Sequence, residues 1–422
     1  MSRFPVKSMN SVSASSECES QMNSKSEARR MISESLAKVV PARLGNGLRA
    51  IVLTGSLARD EATIVARGSR FESLGDADVL LVYDTGASEP DCLQVELVVR
   101  EAEEGCLQRG LRAIVNASSV SPRYFQKLPK SIFAYELRHC AKVIWGETEI
   151  LKHVREFSAA EIPHEDAWRM ISNRMIELME ASRHFFGDST TAELGLYYAI
   201  VKMFLDMATS YSVFAGAYAP SYRERAERLL AMANGHPGST PFPLGKFSSR
   251  VQQCTAWKLS GELDFSCEVF ELWREAISYL RRLWRWEIIQ MTAANGEQTI
   301  RGLVERLGEK QTSRARLRGW LSVMKRRGMV KSFRHWPQWM RQCLSASPRY
   351  VVYGAAAEVV FYLPYLVNRS GRLARSDPDW DKIRACLPVT LPHGDMPNVA
   401  SWQALADDVA WNYAELLVGT HA

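Results

Sequence analysis

The spacing of apolar residues changes along the chain and predicts two kinds of structure. In the first third, short apolar runs such as 48–54 and 79–83 are bounded by turn residues, as buried β-strands are. Beyond about residue 160, apolar residues recur every three or four positions, which is typical of amphipathic helices. The pattern therefore predicts an α+β protein: a small mixed β-sheet domain followed by a mainly α-helical C-terminal region.

Composition and breakers divide the chain into four predicted regions. Residues 1–25 are rich in serine and poor in large apolar groups, so we expect a disordered tail. A domain over 26–150 begins with a predicted helix and contains the strands. A helical bundle over 160–295 precedes a basic, mostly helical C-terminal region over 296–422.

Two aspartates stand at the start of the predicted strand that runs to Tyr83. Alternate side chains of a strand point to the same face, so we expect Asp76 and Asp78 to lie side by side. Two carboxylates at that distance repel each other unless a cation or a shared proton intervenes. Oxygen-only ligands suit Mg²⁺ or Mn²⁺, so the pair is a candidate metal site.

A Gly55-Ser56 turn ends the preceding strand. Glycine lets the backbone approach a ligand closely, and free amides at the start of a helix attract phosphate. We therefore expect this turn to supply the anion-binding half of the site.

In this order, the two motifs resemble those of the nucleotidyltransferase superfamily, which includes DNA polymerase β and the aminoglycoside nucleotidyltransferases. The resemblance rests on Gly55-Ser56-Leu57-Ala58-Arg59 and Asp76-Ala77-Asp78 and covers about residues 26–149. It implies that Asp76 and Asp78 bind the metal and are catalytic. It also implies that Gly55, Ser56 and Arg59 bind a nucleoside triphosphate, with ATP as the expected one. The implied reaction transfers a nucleoside monophosphate to a hydroxyl acceptor and releases pyrophosphate.

The sequence departs from this family at the third carboxylate, which active members usually carry on a later strand. The matching predicted strand, 111–118, has no acid, and Asn116 or Ser118 is the nearest polar residue. We therefore assign Asn116 to the metal site. The alternatives are that Asp76 and Asp78 suffice, that Glu136 contributes, or that the chemistry is weakened.

In the helical region, the resemblance implies a partner domain that closes the cleft opposite the metal. There a helix lysine commonly contacts the phosphates, and its counterpart here is Lys202. The competing interpretation pairs Lys202 with Asp206, four residues along, or with the neighbourhood of Glu193 on a solvated face.

The segment 301–350 is strongly basic. It holds thirteen Lys or Arg against two acids, a net charge of +11, whereas the whole chain carries +6. Tryptophans are interleaved with the charges. Such a segment suits an anionic partner, either nucleic acid or a membrane surface; a solvated face balanced by acids elsewhere is the alternative.

The remaining composition is that of an ordinary globular protein, with 46% hydrophobic and 24% charged residues. Eight cysteines are scattered without a C-x-x-C pair, which favours reduced thiols. We find no apolar run long enough to span a bilayer and no apolar signal core at the N-terminus, so we expect a cytoplasmic protein without a transmembrane segment.

Three other interpretations stay open. In the first, the Gly-Ser turn is an ordinary surface turn and the two aspartates are solvated acids without a metal. A second interpretation is a catalytically weak or inactive protein of the same fold that binds nucleotide or nucleic acid. A third is a membrane-surface enzyme that acts on a lipid-linked or polysaccharide acceptor.

Overall fold

The computed structural model describes residues 12–68, 70–186, 193–235, 240–262, 268–294, 298–328, 332, 335–367, 378–391 and 401–417. The chain forms two compact units. The N-terminal unit comprises Met1–Ile162, Ala219–Arg225 and Gln252–Asp264, and the C-terminal unit comprises Pro163–Tyr218, Ala226–Val251 and Phe265–Ala422. Mixed sheets in the first and mainly helices in the second confirm the predicted α+β class. The regions 160–295 and 296–422, separate in the sequence prediction, fall largely within one unit.

The described part of the N-terminal unit has seven strands. They are β1 (Leu48–Leu53), β2 (Ile64–Arg67), β3 (Arg70–Ser73), β4 (Ala77–Tyr83), β5 (Leu111–Arg112), β6 (Val115–Val120) and β7 (Lys142–Gly146). Four of them form a sheet in the order β6-β4-β1-β7, in which β1 is antiparallel to both neighbours and β4 is parallel to β6. The carboxyl end of β1 therefore lies beside the start of β4, so the turn and the aspartates are neighbours.

A second, three-stranded sheet has the order β2-β3-β5. The hairpin of β2 and β3 occupies the long segment between the two motifs, for which the sequence predicted no regular structure. The strand predicted over 111–118 is broken at Ala113 and Ile114, and its two halves join different sheets.

Helix α1 (Val12–Leu44) covers one face of the four-stranded sheet. Its buried residues Ala28, Ile32, Leu36 and Val40 recur every four positions and pack in the core of this unit. The helix begins at Val12, within the tail predicted over residues 1–25; residues 1–11 lie outside the described residues. Once the packed turns of α1 have formed, each residue added at its N-terminal end gains a backbone hydrogen bond without the cost of nucleating a new helix.

The other helices of the first 150 residues are α2 (Gly55–Ala58), α3 (Cys92–Gln108), α4 (Pro122–Lys127) and α5 (Ile132–Cys140). Later helices are α6 (His164–Ala181), α7 (Glu193–Phe214), α8 (Tyr222–Asn234), α9 (Leu244–Ser260), α10 (Val269–Thr292), α11 (Ile300–Lys310), α12 (Ser313–Arg327), α13 (Trp336–Ser345), α14 (Pro348–Val367), α15 (Trp380–Arg384) and α16 (Ser401–Asn412). A turn of π-helix, Tyr413–Leu417, follows α16.

Large aromatic side chains fill the core of the C-terminal unit. Trp168, Trp273 and Trp284 are fully buried, and so are Trp320 and Trp339 of the basic segment. The last two are therefore core residues and cannot serve as exposed stacking platforms.

Helix α14 is, among the described residues, the one helix long and apolar enough to cross a membrane. It has 20 residues with Pro364 inside it, and 61% of its apolar window is buried within the protein. The sequence predicted no apolar run of spanning length, and α14 reaches that length only as a helix with Pro364 inside it. Its burial, however, is that of a core helix.

Candidate functional site

The structure brings the two sequence motifs together at one edge of the sheet. Asp76 precedes β4 and Asp78 lies within it, and both side chains are exposed while the intervening Ala77 is 2% exposed. The aspartates therefore share a face, as the alternation predicted. The backbone N–H of Thr54 donates to the carbonyl oxygen of Asp78 at 2.8 Å, so β1 ends beside the carboxylates.

Gly55 makes the closest approach of the turn to this pair. Its φ is +68°, a conformation that favours glycine. A Cβ at this position would lie 2.9 Å from Oδ2 of Asp78. A side chain there would meet the exposed carboxylate, which would have to rotate away, and the positive φ by itself favours glycine.

Ser56 follows within α2, which has only four residues. Its carbonyl oxygen accepts a hydrogen bond from the N–H of Glu61 at 2.8 Å, which closes the chain into a tight loop beyond the turn. Any anion binding here must rest on the backbone amides of the turn, because so short a helix has little dipole of its own.

Asn116 takes the position expected for a third carboxylate. It pairs in register with Asp78 across β4 and β6, and its Nδ2 donates to Oδ2 of Asp76 at 2.9 Å. In this orientation the amide presents its donor to the aspartate. Rotation of the terminal amide would present Oδ1, which is the atom that can bind a metal. No group of three or more His, Cys, Asp and Glu suited to a metal occurs in the described part of the chain.

Arg59 lies in a buried ion-pair cluster. Its side chain is 8% exposed, its Nε is 3.0 Å from Oε2 of Glu61 and its Nη1 is 2.6 Å from Oε2 of Glu136. Burial lowers the pKa of the Arg59 guanidinium, but Glu136, Tyr222 and Glu61 together raise it above its ordinary value. A role in binding nucleotide stays a prediction and requires phosphate to compete with two carboxylates.

Glu136, the other candidate third acid, is held in the same cluster. Besides Arg59 it faces Nη1 of Arg225 at 3.6 Å. Both arginines also lie over the ring of Tyr222, at 5.3 and 4.6 Å from its centroid. Glu136 thus neutralises buried arginines, which leaves it poorly suited to a metal site.

Glu61 fastens residues 219–225 to the rest of the N-terminal unit. Its Oε1 accepts hydrogen bonds from Oγ of Ser221 and from the backbone N–H of Tyr222, both at 2.8 Å. The sequence pattern does not predict this network, since Glu61 and Ser221 are 160 positions apart in the chain. The one indication of the network in the sequence is the pair of opposite charges, Arg59 and Glu61, soon after the Gly55-Ser56 turn.

Lys202 lies on α7 in the C-terminal unit. Its Nζ is 3.8 Å from Oε2 of Glu177 and 5.5 Å from the centre of the Tyr198 ring. Among the described residues Lys202 and Asp206 form no ion pair within 4.0 Å; Asp206 instead accepts from Nε of Arg174 at 2.6 Å. The phosphate-binding role of Lys202 stays a prediction.

Part of the basic segment serves the fold. Arg316 donates to the carbonyl oxygens of Gly308, Gln311 and Cys343 at 2.7 to 3.1 Å. Arg301 and Arg306 pair with the segment's two acids on the surface. Exposed basic residues without such a partner among those described are Lys310, Arg314, Arg318, Lys325 and Arg341. Lys331, Phe333 and Arg334 lie outside the described residues.

In comparisons with known proteins, no family model and no curated protein matches the sequence. We therefore infer the function from the chemistry of the site itself.

Proposed function

We propose that the protein is a metal-dependent nucleotidyltransferase, which transfers a nucleoside monophosphate from a nucleoside triphosphate, ATP first, to a hydroxyl acceptor. The observation that carries the proposal is the contact geometry of Gly55 and Asp78. A glycine at positive φ reaches the carboxylate of one aspartate while Asp76 lies on the same face. An ordinary surface turn does not need this close approach.

The donor set fits a hard divalent cation. Asp76 and Asp78 are exposed carboxylates on one face, and the amide oxygen of Asn116 is a neutral third ligand after rotation. When bound, Mg²⁺ or Mn²⁺ offsets charge on the phosphates and favours the ionised acceptor hydroxyl. We assign the metal to these three residues.

The chain's own residues position the reactants. The turn at Gly55 and Ser56 offers backbone N–H groups to the triphosphate, next to the carboxylate face. The acceptor oxygen attacks the α-phosphorus, and the bond to the bridging oxygen of the β-phosphate breaks. Pyrophosphate leaves, and the hydroxyl proton passes to solvent. Holding attacking and leaving oxygens in line accounts for much of catalysis in such reactions.

Asn116 favours a second candidate, a nucleotide-binding protein of the same fold with little or no turnover. An amide balances less charge than the carboxylate that active members of the resembled family carry there. With two acids instead of three, metal affinity falls and turnover falls with it. Such a protein would keep nucleotide binding and act as a sensor.

Binding of radiolabelled nucleotides to the full chain in equilibrium dialysis, with Mg²⁺ and with EDTA, tests the proposed site. We expect Mg²⁺-dependent retention of at least one nucleotide, lost in Asp76→Asn/Asp78→Asn. Pyrophosphate measured in the same chambers separates the two candidates, because the transferase releases it when an acceptor is present and the sensor only retains nucleotide. Retention that is equal in the double variant would overturn the site assignment.

We further propose a cytoplasmic location. The scattered cysteines support it, as does the burial of the one candidate membrane helix among the described residues.

A further inference from the structure

A groove of about 630 Å³ lies between α10 and α14 in the C-terminal unit. Four arginines of α10 line it together with aromatic and apolar side chains. The lining includes Arg274, Arg281, Arg282, Arg285, Trp286 and Tyr365. We propose that this groove binds single-stranded nucleic acid, with the arginines on its phosphates and the aromatic rings against its bases.

The four arginines share one face of α10. Positions 281, 282 and 285 follow Arg274 at seven, eight and eleven residues, which are helical repeats of a single stripe. From the first to the last the stripe spans about 16 Å. A stripe of this length exceeds a single phosphate group and matches a polymer that carries several phosphates.

Little in the described structure neutralises this stripe. Arg281 and Arg282 are exposed and have neither a hydrogen bond nor an ion pair within 4.0 Å among the described residues. Arg274 pairs with the exposed Glu271 at 3.3 Å, and Arg285 donates to the carbonyl oxygen of Gln298 at 2.7 Å.

The charge of Arg285 is disfavoured in the protein alone. Burial and the neighbouring Arg281 lower the pKa of its guanidinium, and Glu358 offsets only part of the effect. Burial raises the pKa of the Glu358 carboxyl, although Arg281 and Arg285 act in the opposite direction. A bound anion would relieve the repulsion between adjacent arginines, so the stripe is preformed for negative charge.

All four cationic side chains of the stripe are arginines, and this residue type favours phosphate as the bound anion. Guanidinium binds phosphate oxygens with two parallel hydrogen bonds and also stacks on rings, whereas a lysine acts as a point charge. Tyr365 is 47% exposed at the groove, and the ring of Trp286 is half-buried in its wall. Rings beside a row of cations are the arrangement on which single strands stack their bases.

The shape argues against a membrane surface. A lipid-binding face is broad and apolar and projects several large side chains. Here the surface is concave, Phe361 is 5% exposed and Ile277 is 2% exposed. Tyr365 is, within the described lining, the one large apolar side chain that is strongly exposed.

Fluorescence anisotropy of a labelled 12-nucleotide single strand, as DNA and as RNA, tests the inference on the full chain. The variant is Arg281→Gln/Arg282→Gln. Its matched control is Arg123→Gln/Lys127→Gln, which removes the same charge from exposed positions of α4, outside both the groove and the basic segment. Both pairs are exposed, so the fold should tolerate either change, and circular dichroism verifies it.

We expect wild-type binding that weakens at least about tenfold in Arg281→Gln/Arg282→Gln and less than about twofold in the control. The slope of log affinity against log salt should flatten by about 1.4 in the first variant, for two lost phosphate contacts. Tyr365→Ala should weaken binding and Tyr365→Phe should retain it, since the ring and not the hydroxyl stacks.

Equal losses in the two double variants would show unspecific attraction and overturn the inference, as would absence of wild-type binding. Vesicles containing phosphatidylserine provide the other arm. If they bind through Arg281 and Arg282 while the oligonucleotide does not, the groove is a lipid site and the inference is wrong. These outcomes do not depend on the transferase proposal, because every residue that lines the groove belongs to the C-terminal unit, whereas Asp76 and Asp78 belong to the N-terminal unit.

Discussion

A methyl group on Gly55 would lie 2.9 Å from Oδ2 of Asp78, closer than carbon and oxygen normally approach. The same glycine holds φ at +68°. Gly55 thus places the end of β1 against the carboxylate of Asp78, near the start of β4. The proposed reaction depends on this contact.

Gly55→Ala is the direct test of the contact. The β-carbon must displace either the turn or the Asp78 carboxylate, and a misplacement of about 1 Å can reduce turnover about 100-fold. Adoption of positive φ by alanine also costs about 1 to 2 kcal/mol of stability.

Gly216→Ala is the matched control for strain alone. Gly216 has φ of +67°, and in the described part of the chain no atom beyond its two chain neighbours lies within 4 Å of the point that an added β-carbon would occupy. We expect the same loss of stability in urea unfolding with unchanged turnover and nucleotide binding. Equal activity in the two variants would remove the Gly55–Asp78 contact from the mechanism.

Asn116→Asp restores a third carboxylate to the strand. It also removes the N–H donor that Asp76 now receives at 2.9 Å. Three acids repel each other without a cation, so we expect lower thermal stability in EDTA and about tenfold tighter Mn²⁺ binding by titration calorimetry. Ser118→Asp is the control, because Ser118 pairs with Leu80, farther along the sheet. Equal Mn²⁺ affinity in both variants would contradict the assignment of Asn116.

Arg59→Gln should destabilise the N-terminal unit strongly. The change leaves the carboxylates of Glu61 and Glu136 without their shared cation in a site where the arginine is 8% exposed. Loss of one partner of a buried pair typically costs about 3 to 5 kcal/mol. Arg43→Gln, which breaks an exposed pair with Glu101, should cost less than about 1 kcal/mol. Chemical denaturation measures both, and similar small losses would show that the cluster is not stabilising.

Glu287 gives the folded protein a pH dependence of opposite sign to most acids. The residue is 0% exposed, its Oε1 accepts from Oγ of Ser210 at 2.6 Å, and burial raises the pKa of its carboxyl well above 4.5. The folded state keeps the proton that the unfolded chain releases. Stability is therefore full below about pH 4.5 and falls as pH rises toward the folded pKa, by about 1.4 kcal/mol per unit.

Glu287→Gln should remove this slope, and the variant should gain stability over wild type as pH rises from 5 to 7. Urea unfolding across that range measures the difference. Glu271→Gln, exposed on the same helix, should keep the wild-type slope. Parallel curves for wild type and Glu287→Gln would contradict a proton held by Glu287.

Local pattern was enough to predict much of the N-terminal sheet. The runs that became β1 and β4 are apolar and bounded by turns, and alternation placed Asp76 and Asp78 on one face. The α+β class was confirmed for the same reason, because helical periodicity dominates the later sequence.

The rest depends on contacts between distant residues. The hairpin of β2 and β3 has strands of four residues each, too short for a periodic signal. Arg59 meets Glu136 across 77 positions, and Lys202 faces Glu177 on another helix instead of Asp206 on its own. Tertiary packing decides such pairings, and spacing along one helix does not reveal them.

Pyrophosphate release shows directly whether the protein is a nucleotidyltransferase that depends on Asp78. The full chain is incubated with Mg²⁺, each α-³²P nucleoside triphosphate and a mixture of hydroxyl acceptors, and wild type is compared with Asp78→Asn and Asp84→Asn. Asp84 follows the opposite end of the same strand with its side chain 60% exposed, so it matches the charge change away from the turn. The account predicts Mg²⁺-dependent release and label transfer by wild type and Asp84→Asn, and none by Asp78→Asn. Release by Asp78→Asn at the wild-type rate would contradict it.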